Sequence, residues 1–517
     1  MQAEQQKFNR LYKEIFDHNQ IMFVGKLLQR AAKKWPTNIA VICQDKKITY
    51  EELYLRSVDL SIYFKSLGLS ARDRVILYYE NSIEFYVGYF GAWQCGAVVA
   101  ALNVFLKEAE LEHVIKDCQP KIIITSKNLK EKTEAALKAI QLDIKIFSEI
   151  DVEKNISQEI AKDFKVEKIE PDEMAALLYT SGTTGMPKGV MLSSKNILTN
   201  VIQGIAKLDV SPKDRVYCAL PLFHAIVQNS CIWGICFLGG TVIVIPKIDR
   251  RYIRQGLEHK PSVMVGVPAL FGLFCLMKDL NFDFVRFFFS GGDALPDKIR
   301  QMFSLIYRRK ICNGYGLTET TPLVCVDMDD VNKPTDTVGR PVQGVEIKVT
   351  DEFGDEINPE NVGTLWVKGD NVMLGYYNAP EATKKILVDG WLNTGDLGYI
   401  DKNGKIVLTG REKDLIVQKG IKIYPQEVEN VIMSYPSVIQ VGVIGLDVKT
   451  DGQVPVAFIS VRDLNEPDLE QKIRDLCIRS LAPYKVPRQY IFKKELPTTS
   501  TGKVDKKVLR AELNQDK

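Results

Sequence analysis

Short apolar runs alternate with helical segments over much of the chain, and this alternation constrains the fold more than any other feature. Residues 74–79, 97–102 and 121–125 have the apolar character of strands, and a helical pattern at residues 82–93 separates the first two. Parallel strands need a long crossover, usually a helix, to connect them. The alternation therefore predicts an α/β fold built on a parallel, doubly wound sheet.

The same alternation resumes after residue 214. Strands are predicted at residues 215–220, 241–245, 263–267 and 286–290. Two doubly wound α/β subdomains are therefore expected. From about Gly339 the pattern changes to short strands with frequent glycines, which predicts a small β-barrel packed on the α/β body.

A domain boundary is predicted between residues 410 and 411. A chain of 517 residues is too long for one ordinary hydrophobic core. Residues 1–410 are expected to form a large N-terminal domain, and residues 411–517 a small, mobile α+β C-terminal domain. No long flexible linker separates the two, so the C-terminal domain is expected to turn on a short connection.

Composition and charge exclude several classes of protein. A formal net charge of +3 is small for a chain of this length. A protein that binds nucleic acid would be expected to carry a concentrated basic surface, which this charge does not indicate. The ten cysteines include no Cys-x-x-Cys pair, which argues against a zinc site and a disulfide framework and favours reduced thiols in a cytoplasmic protein. The polar N-terminus indicates no secretion signal. Residues 225–246 are uncharged, but their polar residues and the break at Gly239 and Gly240 predict a buried helix, a turn and a strand.

A loop rich in glycine and threonine follows the predicted strand at residues 174–178. Its sequence, YTSGTTGMPKG (residues 179–189), brings backbone N–H groups and hydroxyls together in the way that suits a polyphosphate. It does not match the Walker loop, because Lys188 follows Met-Pro and no Ser or Thr comes after it. The alternative is a polar surface turn; the strand before the loop and Pro-Lys-Gly after it favour a nucleotide loop.

Five further stretches carry candidate functional residues, although each has an ordinary structural alternative. Glycines end a predicted strand in SGGDALP (residues 290–296), where α/β sheets bind ligands. The stretch NGYGLTET (residues 313–320) offers an aromatic ring for a base and a carboxylate for Mg²⁺. An acid follows a turn in NTGDL (residues 393–397), charges cluster in GREKDL (residues 410–415), and one lysine lies in PTTSTGKV (residues 497–504).

In their order and combination, these six stretches resemble the motifs of the adenylate-forming superfamily. Within it the chain is similar to the AMP-forming acyl-CoA synthetases, specifically bacterial medium- or long-chain fatty acid–CoA ligases, over residues 35–509. The resemblance implies ATP-dependent conversion of a fatty acid to an acyl-adenylate with release of pyrophosphate. Transfer of the acyl group to coenzyme A, with Mg²⁺ as the metal cofactor, would follow.

The resemblance also implies a role for individual residues. The phosphates of ATP would bind the loop residues Thr180, Ser181, Gly182, Thr183, Thr184, Gly185 and Lys188. Thr180 and Glu319 would lie near Mg²⁺. The rest of the ATP site would comprise Gly291, Gly292, Asn313, Gly314, Tyr315, Gly316 and Thr318, with Asp396 and Arg411 at the ribose. The catalytic candidates are Lys503 for adenylation, His224 at the acyl pocket, Lys413 at the hinge, and Arg411. Lys419 and Gly420 would line the path of CoA.

Alternatives to a fatty acid–CoA ligase remain at this stage. Amino-acid activation is disfavoured, because His224 stands where an Asp that pairs with the substrate ammonium is common. Aryl acids such as coumarate or benzoate, an acyl carrier protein as acceptor, and luciferase-like oxygenation stay open. A non-enzymatic sensor of nucleotide or acyl groups is disfavoured because Glu319 and Lys503 are both present. The sequence leaves open a peripheral membrane contact and is compatible with a monomer or a homodimer.

Overall fold

The structure of the protein is a computed structural model. It describes residues 2–17, 21–148, 163–180, 186–329, 335–448, 452–499 and 503–515. Five of the predicted phosphate-loop residues, Ser181, Gly182, Thr183, Thr184 and Gly185, lie outside the described residues.

The described residues contain 26 strands in four sheets. In chain order they are β1 (Ile39–Cys43), β2 (Lys46–Thr49), β3 (Arg74–Tyr78), β4 (Val98–Ala101), β5 (Ile122–Thr125), β6 (Lys145–Phe147), β7 (Met174–Thr180), β8 (Lys188–Ser193), β9 (Arg215–Cys218), β10 (Thr241–Val244), β11 (Val263–Gly266), β12 (Phe287–Ser290), β13 (Ile311–Gly316), β14 (Leu323–Val326), β15 (Arg340–Pro341), β16 (Glu346–Thr350), β17 (Gly363–Lys368), β18 (Gly375–Tyr376), β19 (Leu387–Val388), β20 (Trp391–Ile400), β21 (Ile406–Arg411), β22 (Ile416–Gln418), β23 (Ile421–Ile423), β24 (Val438–Val448), β25 (Gly452–Val461) and β26 (Gln489–Lys493).

Helices connect and cover these strands. In chain order they are α1 (Gln2–Phe16), α2 (Leu27–Lys34), α3 (Tyr50–Ser66), α4 (Ile83–Gln94), α5 (Glu108–Cys118), α6 (Lys127–Ala139), α7 (Ser194–Lys207), α8 (Ala225–Val227), α9 (Ile235–Leu238), α10 (Arg250–Glu258), α11 (Pro268–Leu276), α12 (Asp297–Tyr307), α13 (Pro380–Ile386), α14 (Pro425–Met433), α15 (Leu469–Ser480) and α16 (Lys506–Gln515). Local chemistry sets some of their ends: the Thr49 side chain accepts from the Glu52 N–H at the start of α3, and the Glu52 carboxylate accepts from the Thr49 N–H at 2.8 Å.

The first α/β sheet contains β7, the strand that directly precedes the predicted phosphate loop. Its seven strands have the order β18-β8-β7-β4-β3-β5-β6, and the run from β7 to β6 is parallel. Strand β8 returns antiparallel to β7, so that Thr180 lies opposite Lys188 across the loop. Strands β7 and β8 therefore form an antiparallel pair on either side of the predicted loop.

The second α/β sheet presents the glycine-rich stretches along one edge. Its nine strands have the order β15-β14-β13-β12-β11-β9-β10-β1-β2, in which the run from β13 to β1 is parallel. Because parallel strands end at the same edge, the end of β12 at Ser290 lies beside Asn313 of β13. The two predicted α/β blocks are thereby confirmed.

The uncharged segment at residues 225–246 forms the predicted buried helix, turn and strand. Helix α8 continues through a π-helix (Gln228–Gly234) into α9, and β10 follows. Gly239 makes the turn with a φ of +79°, and a Cβ there would lie 2.2 Å from the Trp35 ring. Within the described ranges, no helix is long and apolar enough to cross a membrane.

The remaining two sheets are antiparallel for most of their strands. The segment predicted as a small β-barrel forms a five-stranded sheet, β16-β17-β20-β19 with β21 paired to β20. A second five-stranded sheet, β23-β22-β25-β24 with β26 paired to β25, lies in the C-terminal part. Buried hydrophobic residues up to Ile406 and those from Ile416 onward belong to separate clusters. The boundary predicted between residues 410 and 411 falls between these clusters and stays a prediction.

Candidate active site

A cavity of about 920 Å³ brings most of the predicted site residues together. Both α/β sheets and the C-terminal part contribute to its walls. The predicted residues that line it are Thr180, Lys188, His224, Gly291, Gly292, Gly314, Tyr315, Gly316, Thr318, Glu319, Arg411, Lys413 and Lys503. Among the described residues, four predicted ones do not line it: Asn313, Asp396, Lys419 and Gly420.

The ends of β12 and β13 form one wall of the cavity. A Cβ at Gly291 would lie 2.7 Å from Ile226 Cδ1, so the Ile226 side chain would have to shift to admit one. Gly316 is more tightly enclosed, since an added Cβ would lie 1.6 Å from the Pro322 carbonyl oxygen. Asn313, in contrast, does not line the cavity, although the next residue, Gly314, does. The Asn313 backbone carbonyl accepts from the Asp327 N–H at 2.9 Å.

Asp396 connects this wall to the C-terminal boundary. Its carboxylate is 5% exposed and accepts from the Tyr315 hydroxyl at 2.9 Å, while Arg411 Nε lies 2.8 Å from its other oxygen. Asp396 raises the pKa of the Arg411 guanidinium. A buried carboxylate needs such partners. Asp396 therefore orients two cavity-lining side chains, although it does not line the cavity itself.

Lys188 and Glu319 both contact Tyr376, a residue that the sequence did not single out. Strand β18 pairs with β8, which brings Tyr376 to the cavity. The Tyr376 hydroxyl donates to Glu319 Oε1 at 2.7 Å, and Lys188 Nζ lies 5.4 Å from the centroid of its ring. Burial, followed by the Glu319 charge, raises the pKa of Tyr376. No local motif marks Tyr376, because only the pairing of two distant strands brings it here.

His224 lies at the N-terminus of α8, where the cavity turns from polar to apolar. Its Nε2 atom is buried without a hydrogen-bond partner, and the Phe223 ring packs against it at a centroid distance of 4.3 Å. The Gln228 side chain donates to the Phe223 carbonyl at 2.9 Å and fixes this segment. Burial, with a contribution from the Lys503 charge, lowers the pKa of His224 to about 4. His224 is therefore neutral at physiological pH.

Lys503 reaches the same cavity from the C-terminal part of the chain. A bridge between Thr498 and Val504 and a 2.8 Å hydrogen bond from the Thr499 N–H to the Lys503 carbonyl fix the main chain at Lys503. Its Nζ lies 4.0 Å from Asp293 Oδ1, at the outer limit of an ion pair, and about a third of the side chain is exposed (33%). The ammonium group is therefore lightly held and available to an anion.

The segment around Lys413 forms a 3₁₀ turn (Glu412–Asp414) directly after β21. Burial and the neighbouring Arg411 lower the pKa of Lys413. Asp414 binds Arg510 of α16 at 2.5 Å. Lys419 and Gly420 form the exposed turn between β22 and β23, with φ values of +48° and +81°. The structure therefore does not bring the predicted CoA-lining residues to the cavity.

Beyond His224 the cavity extends into an apolar region between α7, α9 and the second sheet. Aliphatic side chains and one glycine line it: Val201, Gly204, Ile205, Val216, Ile235 and Val265. Asp214 also lines the cavity, where its carboxylate is paired with Arg286 at 2.8 Å and accepts from Ser262 at 2.6 Å. The sequence did not single out the α7 residues of this lining, because they read as an ordinary apolar helix face.

The polar end of the cavity fits magnesium-ATP. Mg²⁺ is usually bound by one or two carboxylates together with substrate phosphates and water. Glu319 supplies a carboxylate, Lys188 and Lys503 supply cations for phosphates, and the described residues contain no closed group of three acidic, His or Cys ligands. Ser290 Oγ adds a buried polar atom without a partner at the same wall.

Comparison with known proteins gives two family matches: the AMP-binding enzyme model at residues 28–377 and the AMP-binding enzyme C-terminal domain at residues 427–503. A long-chain-fatty-acid–CoA ligase of Bacillus subtilis is 32% identical, covering 95% of this chain and 94% of its own. A 4-coumarate–CoA ligase of Solanum tuberosum is 31% identical, with coverages of 91% and 89%. The structure of a Bacillus subtilis O-succinylbenzoate coenzyme A synthetase with ATP and magnesium ion aligns with a TM-score of 0.81 at 26% identity, covering 95% and 99%.

Proposed function

Because this chain belongs to the family of AMP-binding enzymes, we propose that it is an AMP-forming acid–CoA ligase that acts on fatty acids of medium to long chain. One observation carries the choice of substrate. The cavity that holds Lys188, Glu319 and Lys503 continues past His224 into a region lined by aliphatic side chains. An alkyl chain fits such a lining, since each buried methylene group contributes about 0.8 kcal/mol.

The chemistry explains why a nucleotide pocket adjoins the acyl region. A carboxylate is a poor electrophile, and its oxygen does not leave as hydroxide at neutral pH. In the first step a carboxylate oxygen attacks the α-phosphorus of ATP, the bond to pyrophosphate breaks, and an acyl-adenylate forms. In the second step the CoA thiolate attacks the acyl carbon, the bond to the AMP oxygen breaks, and acyl-CoA and AMP are released.

The charged residues have separate roles in the first step. Lys503 approaches the α-phosphate and stabilises the negative charge that grows on it, while Lys188 holds the departing pyrophosphate. Mg²⁺ near Thr180 and Glu319 would neutralise charge on the phosphate oxygens. We assign the loop residues Ser181, Gly182, Thr183, Thr184 and Gly185 to the β- and γ-phosphates from the sequence alone.

The remaining residues orient the nucleotide and the acid. Gly291, Gly292, Gly314 and Tyr315 form the adenine side, with Asn313 behind them, and Gly316 and Thr318 complete the ATP site. Arg411 would contact the ribose, with Asp396 orienting it from behind the cavity wall. Neutral His224 marks the boundary between the phosphates and the acyl chain. Its pKa of about 4 keeps a cation away from the apolar region at physiological pH.

An aryl acid is the second candidate substrate, because the relative from Solanum tuberosum is a 4-coumarate–CoA ligase. A panel of octanoate, palmitate, benzoate and 4-coumarate separates the two candidates. We expect pyrophosphate release and acyl-CoA formation to be fastest with the fatty acids. Higher kcat/KM for 4-coumarate or benzoate would contradict the fatty-acid assignment.

The same assay, run with CoA, with an acyl carrier protein and with neither, tests the acceptor. Thioester formation only with the carrier protein would refute CoA as the acceptor. If no acid supports pyrophosphate release, the alternative of a non-enzymatic sensor of nucleotide or acyl groups would be favoured.

Gly204 provides a test of the apolar region. It lies on α7, and an added Cβ would meet only Leu323 Cδ2, at an ordinary distance of 3.5 Å. A larger side chain there would extend into the cavity without disturbing the helix. We expect Gly204→Leu to lower kcat/KM for palmitate by about 10- to 100-fold, since overpacking costs about 1–3 kcal/mol, and to affect octanoate much less.

Gly272→Leu is the matched control for this variant. Gly272 also lies on a helix with its nearest neighbour 3.4 Å from an added Cβ, but it does not line the cavity. Equal losses for palmitate and octanoate, or equal losses in the two variants, would remove Gly204 from the acyl site.

A further inference from the structure

Tyr376 contacts two groups of opposite charge that the proposed function assigns to magnesium-ATP. Its hydroxyl donates to Glu319 Oε1 at 2.7 Å, and its ring lies 5.4 Å from Lys188 Nζ. All three side chains line the cavity. A phenol has the two properties needed for such a contact, because its hydroxyl donates to an anion and the negative face of its ring attracts a cation.

Several bonds fix the position of Tyr376. Strand β18 pairs with β8, placing Tyr376 opposite Val190, two residues beyond Lys188. The Tyr376 N–H donates to Thr383 Oγ1 at 2.8 Å. The same segment holds the backbone of Glu319, whose carbonyl accepts from the Met373 N–H at 2.9 Å. Residues 373–376 therefore restrain both the main chain and the side chain of Glu319.

This arrangement affects what Glu319 and Lys188 can bind. A direct ion pair between them would tie up carboxylate oxygens that a metal requires and ammonium protons that phosphates require. In the structure, Glu319 instead directs one oxygen to the Tyr376 hydroxyl, and Lys188 lies at the ring. The second carboxylate oxygen and the ammonium donors are thus left for a metal and for phosphate.

We propose that Tyr376 is a positioning residue for magnesium-ATP. Its hydroxyl orients the Glu319 carboxylate toward the metal position, and its ring keeps the Lys188 ammonium at the phosphate position and out of an ion pair with Glu319. The proposal rests on the proposed function, because it takes magnesium-ATP as the ligand of Lys188 and Glu319. Groups that orient a metal ligand from behind typically contribute about 10- to 100-fold to metal affinity or activity.

The test compares Tyr376→Phe with Tyr377→Phe. Tyr377 is the adjacent tyrosine and does not line the cavity, so its variant controls for loss of a hydroxyl at a neighbouring position. ATP binding is measured by calorimetry over a range of magnesium concentrations. We expect Tyr376→Phe to raise the magnesium concentration for half-maximal ATP binding by about 10- to 100-fold. ATP affinity without magnesium and the KM for the fatty acid are expected to stay unchanged, and Tyr377→Phe should match the wild type.

Glu319→Gln and the double variant Tyr376→Phe/Glu319→Gln separate this proposal from the proposed function. If the hydroxyl acts through Glu319, Tyr376→Phe adds no further loss of magnesium dependence in the Glu319→Gln background. A fully additive loss, or equal behaviour of Tyr376→Phe and Tyr377→Phe, would overturn the proposal for Tyr376 alone. Unchanged magnesium dependence in Glu319→Gln itself would overturn the magnesium assignment of the proposed function, and the role of Tyr376 with it.

Tyr376→Leu tests the ring. It removes both contacts, so we expect ATP affinity without magnesium to fall in this variant, through misplacement of Lys188, whereas Tyr376→Phe retains it. Equal magnesium-free affinities in the two variants would refute the contribution of the ring.

Discussion

Replacement of Lys503 by alanine is expected to lower pyrophosphate release by about 100- to 1000-fold, the usual effect of removing one preorganised donor from a transition state. The ammonium group lies in the cavity and has only a 4.0 Å contact with Asp293. It is therefore free to turn to the α-phosphate, where negative charge develops during attack by the carboxylate. Its partner Asp293 is itself 41% exposed, so removal of the ammonium group does not leave a buried carboxylate without a partner.

The measurement separates the two half-reactions. Pyrophosphate release reports adenylation, whereas conversion of supplied acyl-adenylate and CoA to acyl-CoA reports thioester formation. Lys503→Ala should lose the first and retain the second. Lys494→Ala is the control, since Lys494 is an exposed lysine of the same C-terminal part that does not line the cavity. Equal loss of both half-reactions in Lys503→Ala would refute a role confined to adenylation.

The sequence predicted the fold well where the local residue pattern agrees with the burial of those residues in the folded protein. The strand at residues 122–125 is buried on both faces, because it lies inside a parallel sheet, and this burial accounts for its three consecutive isoleucines, residues 122–124. The capping box of Thr49 and Glu52 at the start of α3 is an equally local feature. The α/β class, with a large N-terminal domain and a smaller C-terminal domain, is confirmed for the same reason.

From the sequence, candidate site residues could be predicted only where they belong to a short continuous stretch. The glycine-rich stretches at the ends of β12 and β13 reach the cavity because parallel strands carry their following loops to one edge. Tyr376 comes from the pairing of β18 with β8, over almost two hundred residues of chain, and no spacing rule predicts such a register. Val201 and Ile205 of α7 were missed because an apolar helix face looks the same against a core or a cavity.

Three predicted residues lie outside the cavity lining in a way that bears on mechanism. Asp396 lies behind the cavity wall with Tyr315 and Arg411, so its negative charge acts through these partners in this arrangement. Lys419 and Gly420 are in an exposed turn away from the cavity, whereas Lys503 lines it. The arrangement thus has the form expected for adenylation and lacks the residues assigned to CoA.

A change of arrangement would bring Lys419 and Gly420 to the acyl-phosphate centre, and we propose a hinge rotation at residues 411–414. Polar contacts cross between the two parts of the chain: Lys298 donates to the carbonyls of Tyr435 and Val438, at 2.9 and 3.0 Å, and Lys503 approaches Asp293. Such contacts can be exchanged for water at little cost. A few backbone dihedrals in the hinge would then suffice for the rotation.

Substitution of Lys413 by proline is the second large effect that we expect. Lys413 lies within the turn Glu412–Asp414, where a φ near that of proline is compatible with the observed arrangement. The ring would oppose any rotated state that needs another φ at this residue, at a cost of about 3 kcal/mol or more where it conflicts with the backbone. Thioester formation from supplied acyl-adenylate should therefore slow by about a hundredfold, while pyrophosphate release continues.

Lys413→Ala isolates the backbone effect, because it removes the same side chain and leaves φ free. The Lys413 side chain lines the cavity, so both variants share any loss of its charge, and only the proline variant restricts rotation. Single-turnover measurements of both half-reactions in the two variants give the comparison. If the proline variant converts supplied adenylate to acyl-CoA at the rate of the alanine variant, rotation about residue 413 does not occur.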